Sequence, residues 1–141
     1  FNLKLAGTLH GEERQWFDKL IDGADNIEYI GRLPDEDLFE FYRRAKVFAL
    51  PSIVEGVGMV ALEAAVYGAE IVLTHIGGPK EYYNGRAVLV NPYDVDSIGK
   101  GVLEAFNSKH AQPELKEYIL NNYSLMACSK KLEDVLHNNL H

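Results

Sequence analysis

Cysteine is nearly absent from this sequence, since Cys128 is the only one in 141 residues. No disulfide can form within the chain, so a secreted fold built on internal disulfides is excluded. Long apolar runs are also missing, because no stretch reaches the roughly 18 residues of a membrane-spanning helix. Basic residues are outnumbered, with 14 Lys and Arg against 21 Asp and Glu and a formal net charge of −7. This balance disfavours nucleic acid or an anionic membrane surface as the main partner.

The rest of the composition is that of an ordinary globular domain. Apolar residues make up 47% and charged residues 25% of the sequence. The length suits one domain, so residues 1–141 are expected to form a single domain. The sequence starts at Phe1, where an apolar alternation begins at once. Because a natural protein rarely begins in the middle of a strand, we expect the sequence to be part of a longer protein.

Short apolar segments alternate along the chain with helical patterns. The gaps between these segments are roughly 12 to 20 residues, which suits crossovers between parallel strands and is too long for hairpins. The segments are rich in Val, Ile and Leu, as in strands buried on both faces. The pattern predicts an α/β fold, a doubly wound parallel sheet of about five strands flanked by helices, with helices alone from about 94 to 140. The predicted strands are Leu3–Gly7, Ile27–Ile30, Val47–Leu50, Ile71–Thr74 and Ala87–Val90.

Four aromatic side chains are predicted to be core residues. Trp16 and Phe17 lie on the apolar face of the first predicted helix. Tyr82 and Tyr83 follow a glycine-rich turn, where they could pack beneath the turn or stack on a nucleotide base. Packing is the favoured interpretation for both tyrosines.

A glycine-containing loop joins the third predicted strand to the next helix. Gly56 and Gly58 allow a close backbone approach, and the start of the helix offers unpaired N–H groups with a partial positive charge. In a parallel α/β sheet, ligands bind outside the carboxyl ends of the strands, where this loop falls. The loop therefore suits a phosphate group, and the alternative is a tight turn that only joins the strand to the helix.

Two carboxylates flank this turn, Glu55 in the loop and Glu63 in the helix. Carboxylates repel a phosphate but accept hydrogen bonds from adjacent sugar hydroxyls. The pair predicts a ligand with hydroxyls on both sides of its phosphates: a sugar, a diphosphate and a ribose in a row. The alternative for Glu63 is a helix carboxylate paired with a neighbouring basic side chain.

A second glycine-rich turn follows the fourth predicted strand and is expected beside the first. Gly77 and Gly78 expose backbone N–H groups there, and Lys80 adds a positive charge. Glu81 is better explained by the dipole of the helix it begins than by a ligand contact. We expect Gly77, Gly78 and Lys80 to bind the phosphates of the ligand.

These segments resemble the C-terminal, donor-binding domain of the retaining, GT-B-fold glycosyltransferases of the glycosyltransferases group 1 family. Glu55 and Glu63 match the Glu-x7-Glu motif of that family. The resemblance covers the chain from residue 3 to residue 107, and its strongest segments are 26–50, 51–68, 71–74, 77–81 and 88–94. It implies a Rossmann-like nucleotide-sugar-binding domain.

The resemblance also implies a role for each matching residue. Glu55 would be the catalytic carboxylate that contacts hydroxyls of the transferred sugar, and Glu63 would hold the ribose of the nucleotide. The other implied donor-binding residues lie against the sugar, the diphosphate or the base, and with the second turn they are Gly56, Val57, Gly58, Met59, Ile30, Gly31, Arg32, Gly77, Gly78 and Lys80. No metal is expected in this site.

The activity implied by the resemblance is that of a hexosyltransferase, which moves a sugar from a nucleotide-diphosphate sugar to an acceptor with retained anomeric configuration. The nucleotide sugar is the substrate, and no cofactor is expected. A carbohydrate or lipid-linked acceptor would bind the family's N-terminal domain, which these residues lack. A cytoplasmic location is expected, with peripheral membrane association of the full-length enzyme as a further expectation. The alternative is a non-catalytic nucleotide-sugar-binding or structural module with the same fold.

The first strand of the family's domain is also expected to be missing, because it would lie before Phe1. That strand would be central, between Leu3–Gly7 and Val47–Leu50. Unpaired backbone groups inside a core cost about 1–3 kcal/mol each. We therefore expect the two flanking strands to pair directly, in the strand order 2-1-3-4-5, with strand exchange between two molecules as the alternative.

Nucleoside diphosphates are predicted to bind these 141 residues weakly, and transfer activity is expected to be absent from them alone. The family's basic diphosphate clamp, an Arg and a Lys, would lie before Phe1, and each lost charge-assisted contact is worth about 1.5–3 kcal/mol. The dissociation constant should therefore be high micromolar or poorer. Calorimetric titration with uridine and guanosine diphosphates measures it, and a low micromolar constant would contradict the need for the clamp.

Overall fold

Parallel strands alternate with helices in the computed structural model, which describes residues 1–83, 85–108 and 111–139, with the backbone alone at 111, 112 and 139. The predicted α/β class with parallel strands is confirmed. The predicted helical stretch from 94 to 140 includes residues 109, 110 and 140, which lie outside the described residues. In chain order the described elements are β1 (Leu3–Ala6), α1 (Gly11–Leu20), β2 (Ile27–Gly31), α2 (Asp35–Arg44), β3 (Val47–Leu50), α3 (Met59–Val66), β4 (Glu70–Thr74), α4 (Pro79–Tyr83), β5 (Val88–Val90), α5 (Val95–Asn107), α6 (Ala111–Tyr123) and α7 (Leu125–Asn139).

The chain divides into two compact units, Phe1–Leu38 and Phe39–His141, with the boundary inside α2. In the first unit, β1 and β2 form a parallel pair in which Leu3 lies opposite Ile27. The Tyr29 hydroxyl ties down the loop after β1, because it donates to the Gly7 carbonyl at 2.7 Å and accepts from the Leu9 N–H at 3.2 Å.

Helix α1 places its two predicted core aromatics differently. The Phe17 ring packs edge-on against Tyr29 with 5.5 Å between ring centroids. Trp16 is 64% exposed, so its prediction as a core residue is wrong for this unit. Adjacent helical positions point about 100° apart, and the narrow two-stranded sheet of this unit gives only one of them a surface to cover.

The second unit is built on a three-stranded parallel sheet in the order β3-β4-β5. The central strand β4 is buried at every position, as expected for a strand covered on both faces. Its side chains alternate between the faces. Val72 clusters with Val90 and with Ala105 of α5, whereas Leu73 approaches Gly58 at the start of α3. Helices α5 and α3 therefore cover opposite faces of the sheet.

The C-terminal helices complete this unit. Asp94 caps α5, because its carboxylate accepts the Asp96 and Ser97 N–H groups at 2.9 and 3.2 Å. Helix α6 packs against α3 and buries Leu115 and Ile119. Helix α7 follows α6 and packs beside it.

The expected direct pairing of the first and third strands is wrong. β1 is hydrogen-bonded to β2 and β3 to β4, and within the described residues no ladder joins β1 to β3. The expectation assumed that open backbone groups at these edges would be buried. Three of the four β1 residues are exposed and none of the β3 residues is buried. Water can therefore satisfy the open groups at both edges, and the penalty that would drive direct pairing does not arise.

Two glycines of α5 provide a matched test of this packing. A Cβ at Gly101 would lie 2.3 Å from Val90 Cγ1, whereas a Cβ at Gly99 would meet nothing within 4 Å. We predict that Gly101→Ala destabilises the fold by about 1–3 kcal/mol through overpacking. Gly99→Ala should stabilise it by about 0.5–1 kcal/mol through helix propensity. Urea unfolding measures both, and equal effects would contradict the close contact of α5 with the sheet.

Candidate functional site

The carboxylate of Glu55 is held by its own loop. The Ser52 hydroxyl donates to Glu55 Oε2 at 3.2 Å, and the Gly56 backbone N–H donates to Oε1 at 3.1 Å. Glu55 is half-buried in the loop between β3 and α3. An ionised carboxylate has about four lone-pair positions, so these two bonds orient the group and leave capacity for a ligand's hydroxyls.

The two glycine loops pair with each other through their backbones. The Glu55 N–H donates to the Ile76 carbonyl at 3.2 Å, and the Gly78 N–H donates to the Glu55 carbonyl at 3.0 Å. The result is a parallel bridge between Glu55 and Gly77. The sequence placed these loops beside each other, and the bridge confirms that expectation.

Glycine is required in the second loop by this contact. A Cβ at Gly77 would lie 2.0 Å from the Glu55 carbonyl oxygen, and one at Gly78 would lie 2.3 Å from the Gly56 carbonyl oxygen. The backbone at Gly77 has a φ of 99°, which L side chains rarely adopt. These glycines therefore permit the close approach of two backbones, and the phosphate contact expected of them stays a prediction.

Helix α3 begins at Gly58, next to the Glu55 side chain. Gly58 is buried and left-handed, with a φ of 72°, and its carbonyl accepts the Ala61 and Leu62 N–H groups at 2.9 and 3.1 Å. A Cβ built on Gly58 would lie 3.5 Å from Glu55 Cγ. The earlier N–H groups of the first turn have no acceptor within the helix, so this end of α3 carries a partial positive charge beside the Glu55 loop.

Tyr83 lies beneath this junction. Its hydroxyl donates to the Gly58 carbonyl at 2.9 Å, and its side chain is 1% exposed. Burial raises the pKa of Tyr83 above its usual range, and the negative charge of Glu55 raises it further. The phenol therefore stays protonated and remains a donor. The prediction that Tyr83 packs in the core is confirmed, and Tyr82 packs against the Tyr123 ring at 5.6 Å between centroids.

Glu63 lies on a different face of the site. It is half-buried in α3 and lines a cavity of about 290 Å³. The lining is mostly apolar and aromatic, and its other members are Phe39, Met59, Leu62, Val66, Tyr67, Ile119, Leu120, Tyr123 and Ser124. Glu55 is not among these lining residues. The two carboxylates therefore lie in different environments: Glu55 is in the loop before α3, and Glu63 lines a cavity on the side of α3.

The remaining predicted site residues fall in both units. In the second unit, Met59 and Lys80 are exposed, Gly56 is exposed, and Val57 is half-buried beside Gly58. Ile30 and Gly31 end β2 in the first unit, and the exposed Arg32 follows them.

The structure brings five of the predicted site residues together within the second unit, namely Glu55, Gly56, Gly58, Gly77 and Gly78. The roles of all the predicted residues toward a ligand remain predictions.

Two residues at this site were missed from the sequence as functional candidates. Ser52 lies three residues before Glu55, a spacing at which hydroxyls often hydrogen-bond nearby groups, and that spacing could have identified it. The Tyr83 bond to Gly58 spans 25 residues. No local sequence pattern indicates such a contact. The sequence could therefore predict that Tyr83 is buried, but it could not predict that Gly58 is its hydrogen-bond partner.

Metal-binding clusters and membrane-spanning helices are both absent from the described part of the chain. There, no group of three or more His, Cys, Asp or Glu side chains is placed to hold a metal ion. Within the same residues, no helix combines the length and apolar character needed to cross a membrane.

Comparison with known proteins gives a consistent family. The sequence model of the family described as "Glycosyl transferases group 1" matches residues 1–139. O-antigen chain mannosyltransferase B of Escherichia coli is 35% identical over 79 residues, which are 56% of this chain and 21% of that protein. Sucrose-phosphate synthase 4 of Arabidopsis thaliana is 35% identical over 113 residues, which are 74% of this chain and 11% of that protein. The chain thus spans well under a third of the length of these two relatives.

Solved structures share the fold at low sequence identity. A glycosyltransferase from Rickettsia africae superimposes with a TM-score of 0.82 at 19% identity, covering 99% of this chain and 40% of that one. Sucrose-phosphate synthase from Thermosynechococcus elongatus gives 0.78 at 21% identity, covering 99% and 38%. Anabaena HepE, solved in complex with UDP and glucose, gives 0.76 at 13% identity, covering 97% and 40%.

The paired loops generate a stability prediction with an internal control. Gly77→Ala should destabilise the fold by about 2–4 kcal/mol, because its Cβ meets the Glu55 carbonyl and its φ is unfavourable. Gly56→Ala, in the partner loop, should change stability by less than about 1 kcal/mol, since its Cβ meets nothing within 4 Å. Thermal and urea unfolding measure both variants. Comparable losses in the two would be evidence against the bridge.

Proposed function

Because this chain belongs to the glycosyl transferases group 1 family and has the fold of GT-B glycosyltransferases, we propose that it binds the nucleotide-diphosphate sugar donor of a glycosyltransferase. One observation carries the proposal. The oriented carboxylate of Glu55 and the positive end of α3 meet at a single buried residue, Gly58. A donor of this class presents sugar hydroxyls and a diphosphate side by side, which is the pair of groups that such a junction would recognise.

The positive end of α3 would bind the diphosphate. Transfer breaks the bond between the anomeric carbon and the diphosphate oxygen, and the bonding electrons leave with the diphosphate. A bond forms from the same carbon to an acceptor hydroxyl oxygen, whose proton is released. Negative charge therefore grows on that oxygen in the transition state. Backbone N–H groups at a helix N-terminus stabilise such charge without having to reorient, which favours departure of the nucleotide. In this proposal the exposed Lys80 adds a positive charge nearby.

Glu55 would position the transferred sugar. Ser52 and Gly56 hold its two oxygens, so the remaining lone pairs face a fixed direction and can accept hydrogen bonds from sugar hydroxyls. A sugar held in this way presents its anomeric carbon to the acceptor in a constant orientation, which lowers the entropic part of the barrier. We assign Glu55 the catalytic role on this basis.

Glu63 would bind the nucleotide's ribose. Its carboxylate lines the cavity along α3, and a carboxylate can accept from two adjacent ribose hydroxyls. The rings of Phe39, Tyr67 and Tyr123 in the same cavity offer apolar surface to the sugar ring. Ile30, Gly31 and Arg32 are proposed to line the base, as the family resemblance implies.

The proposal also covers the rest of the reaction. We propose transfer of a hexose with retention of the anomeric configuration, as the family resemblance implies. The acceptor would bind a part of the protein outside this chain, since the chain spans 11 to 21% of the two sequence relatives described above. Proton NMR of the product made by the full-length protein reports the anomer directly. An inverted product would contradict retention.

Glutamine substitutions in the full-length protein should separate the two carboxylates. Glu55→Gln is predicted to lower kcat about 100-fold or more, with little change in KM for the donor, because the positioning of the reacting sugar is lost. Glu63→Gln is predicted to raise the donor KM about tenfold, with a smaller change in kcat, because a charge-assisted hydrogen bond to the ribose is lost. Steady-state kinetics over a panel of nucleotide sugars measure both effects.

A third glutamate serves as the control for these variants. Glu12 is exposed in the first turn of α1, and Glu12→Gln should leave kcat and KM unchanged. Wild-type kinetics in both Glu55→Gln and Glu63→Gln would refute the site. Donor binding without any transfer by the full-length protein, with any acceptor, would favour the non-catalytic alternative.

A further inference from the structure

We propose that Tyr83 is a positioning residue for Glu55, acting through the hydroxyl bond that it donates to the Gly58 carbonyl. This inference rests on the proposed function, because it takes Glu55 as the residue that holds the transferred sugar. It adds a residue from outside the Glu55 loop to the machinery of that site. Tyr83 would not touch the substrate.

The contact itself is specific and buried. The Tyr83 hydroxyl donates to the Gly58 carbonyl at 2.9 Å, and the side chain is 1% exposed. Tyr83 is the last residue of α4, the short helix that directly follows the second glycine loop. Its bond therefore joins the far end of that loop and helix to the first residue before α3. A buried hydroxyl in such a place is costly without a partner, so the pairing defines where both groups must lie.

The bond reaches Glu55 through Gly58. A Cβ built on Gly58 would lie 3.4 Å from the Tyr83 hydroxyl oxygen and 3.5 Å from Glu55 Cγ. The Tyr83 phenol and the Glu55 side chain therefore both lie against Gly58. Gly58 adopts a left-handed conformation with a φ of 72°, and a glycine has many alternative conformations available. The Gly58 carbonyl already accepts the Ala61 and Leu62 N–H groups, and the Tyr83 hydroxyl is a further donor that helps to hold this one conformation.

A second connection makes the arrangement a closed loop of contacts. Glu55 is bridged to Gly77 by backbone hydrogen bonds, Gly77 leads through α4 to Tyr83, and Tyr83 returns to Gly58. The Glu55 side chain packs against Gly58, which is a member of this circuit. Backbone pairing fixes the main chain of Glu55, and Tyr83 fixes the surface against which its side chain packs. Without the hydroxyl, the Gly58 carbonyl keeps its two donors from α3 but loses the bond that ties it to α4, so the Glu55 side chain packs on a less firmly held residue.

The test is Tyr83→Phe in the full-length protein, which removes the hydroxyl and keeps the ring. We expect kcat to fall about two- to tenfold, with the donor KM changed by less than about twofold, because one neutral hydrogen bond that orders the site is lost. Tyr93→Phe is the control, since it removes the same hydroxyl from a side chain that is 71% exposed in the segment between β5 and α5. It should leave kcat unchanged.

A double-mutant cycle separates positioning from a general structural role. If Tyr83 acts through Glu55, Tyr83→Phe should lower kcat in the wild-type background and have no further effect in the Glu55→Gln background. Additive effects of the two substitutions would overturn the proposal. Incorporation of 3-fluorotyrosine at position 83, which keeps a hydroxyl donor, should restore kcat to within about twofold of wild type. Failure of that rescue, with the protein folded, would also overturn it.

The outcomes distinguish this inference from the proposed function. Wild-type kcat in Glu55→Gln alone would remove the proposed function, and this inference with it. A loss of kcat in Glu55→Gln together with wild-type kcat in Tyr83→Phe would remove only the role of Tyr83. Far-ultraviolet circular dichroism and thermal unfolding confirm that each variant is folded at the assay temperature. If Tyr83→Phe does not fold, the protein with 3-fluorotyrosine at position 83 is used for the test. Its phenol is more acidic and therefore a stronger hydrogen-bond donor, so kcat should be kept. A several-fold loss of kcat in that protein would count against the proposal.

Discussion

The second unit depends on one close approach, the backbone pairing of Glu55 with Gly77 and Gly78. A side chain at Gly77 or Gly78 would block this pairing, because its Cβ would lie 2.0 or 2.3 Å from a carbonyl oxygen of the Glu55 loop. The bridge is separate from the ladder of β3 and β4, which ends with the pair Leu50 and Leu73, and it joins the two loops beyond that point. The bridge fixes the backbone of the Glu55 loop. The orientation of the Glu55 carboxylate and the start of α3 at Gly58, on which the proposed ligand recognition rests, both depend on that backbone.

Much of this could be predicted from local sequence. The strand Val47–Leu50 is found with the predicted bounds, and the other strands differ from prediction by one residue at an end. Apolar runs bounded by Gly and Pro fix such elements locally, and the length of the gaps dictates parallel crossovers. The adjacency of the two glycine loops also followed, because successive parallel strands deliver their loops to one edge of the sheet.

The remaining features depend on contacts between distant residues. The Tyr83 bond to Gly58 joins residues 25 apart, and the use of Gly77 for a backbone bridge depends on where another loop comes to lie. The pairing of the first and third strands failed as a prediction because it turned on burial, which periodicity alone does not report. The exposure of Trp16 was missed for the same reason, that periodicity does not report burial. The spacing of apolar residues shows which face of a helix is apolar, but it does not show how much of that face another element will cover.

The bridge separates two kinds of position in the Glu55 loop. Residues whose backbones pair are constrained by the opposing loop. Ile53 and Val54 in the loop, and Met59 at the start of α3, expose most of their side chains, and none of the three takes part in the bridge. Substitutions at these three positions would alter the rim of the site without disturbing its frame. Such a scaffold can acquire new ligand preferences through single substitutions, because the residues that would contact a ligand differ from the residues that hold the backbone of the same short segment.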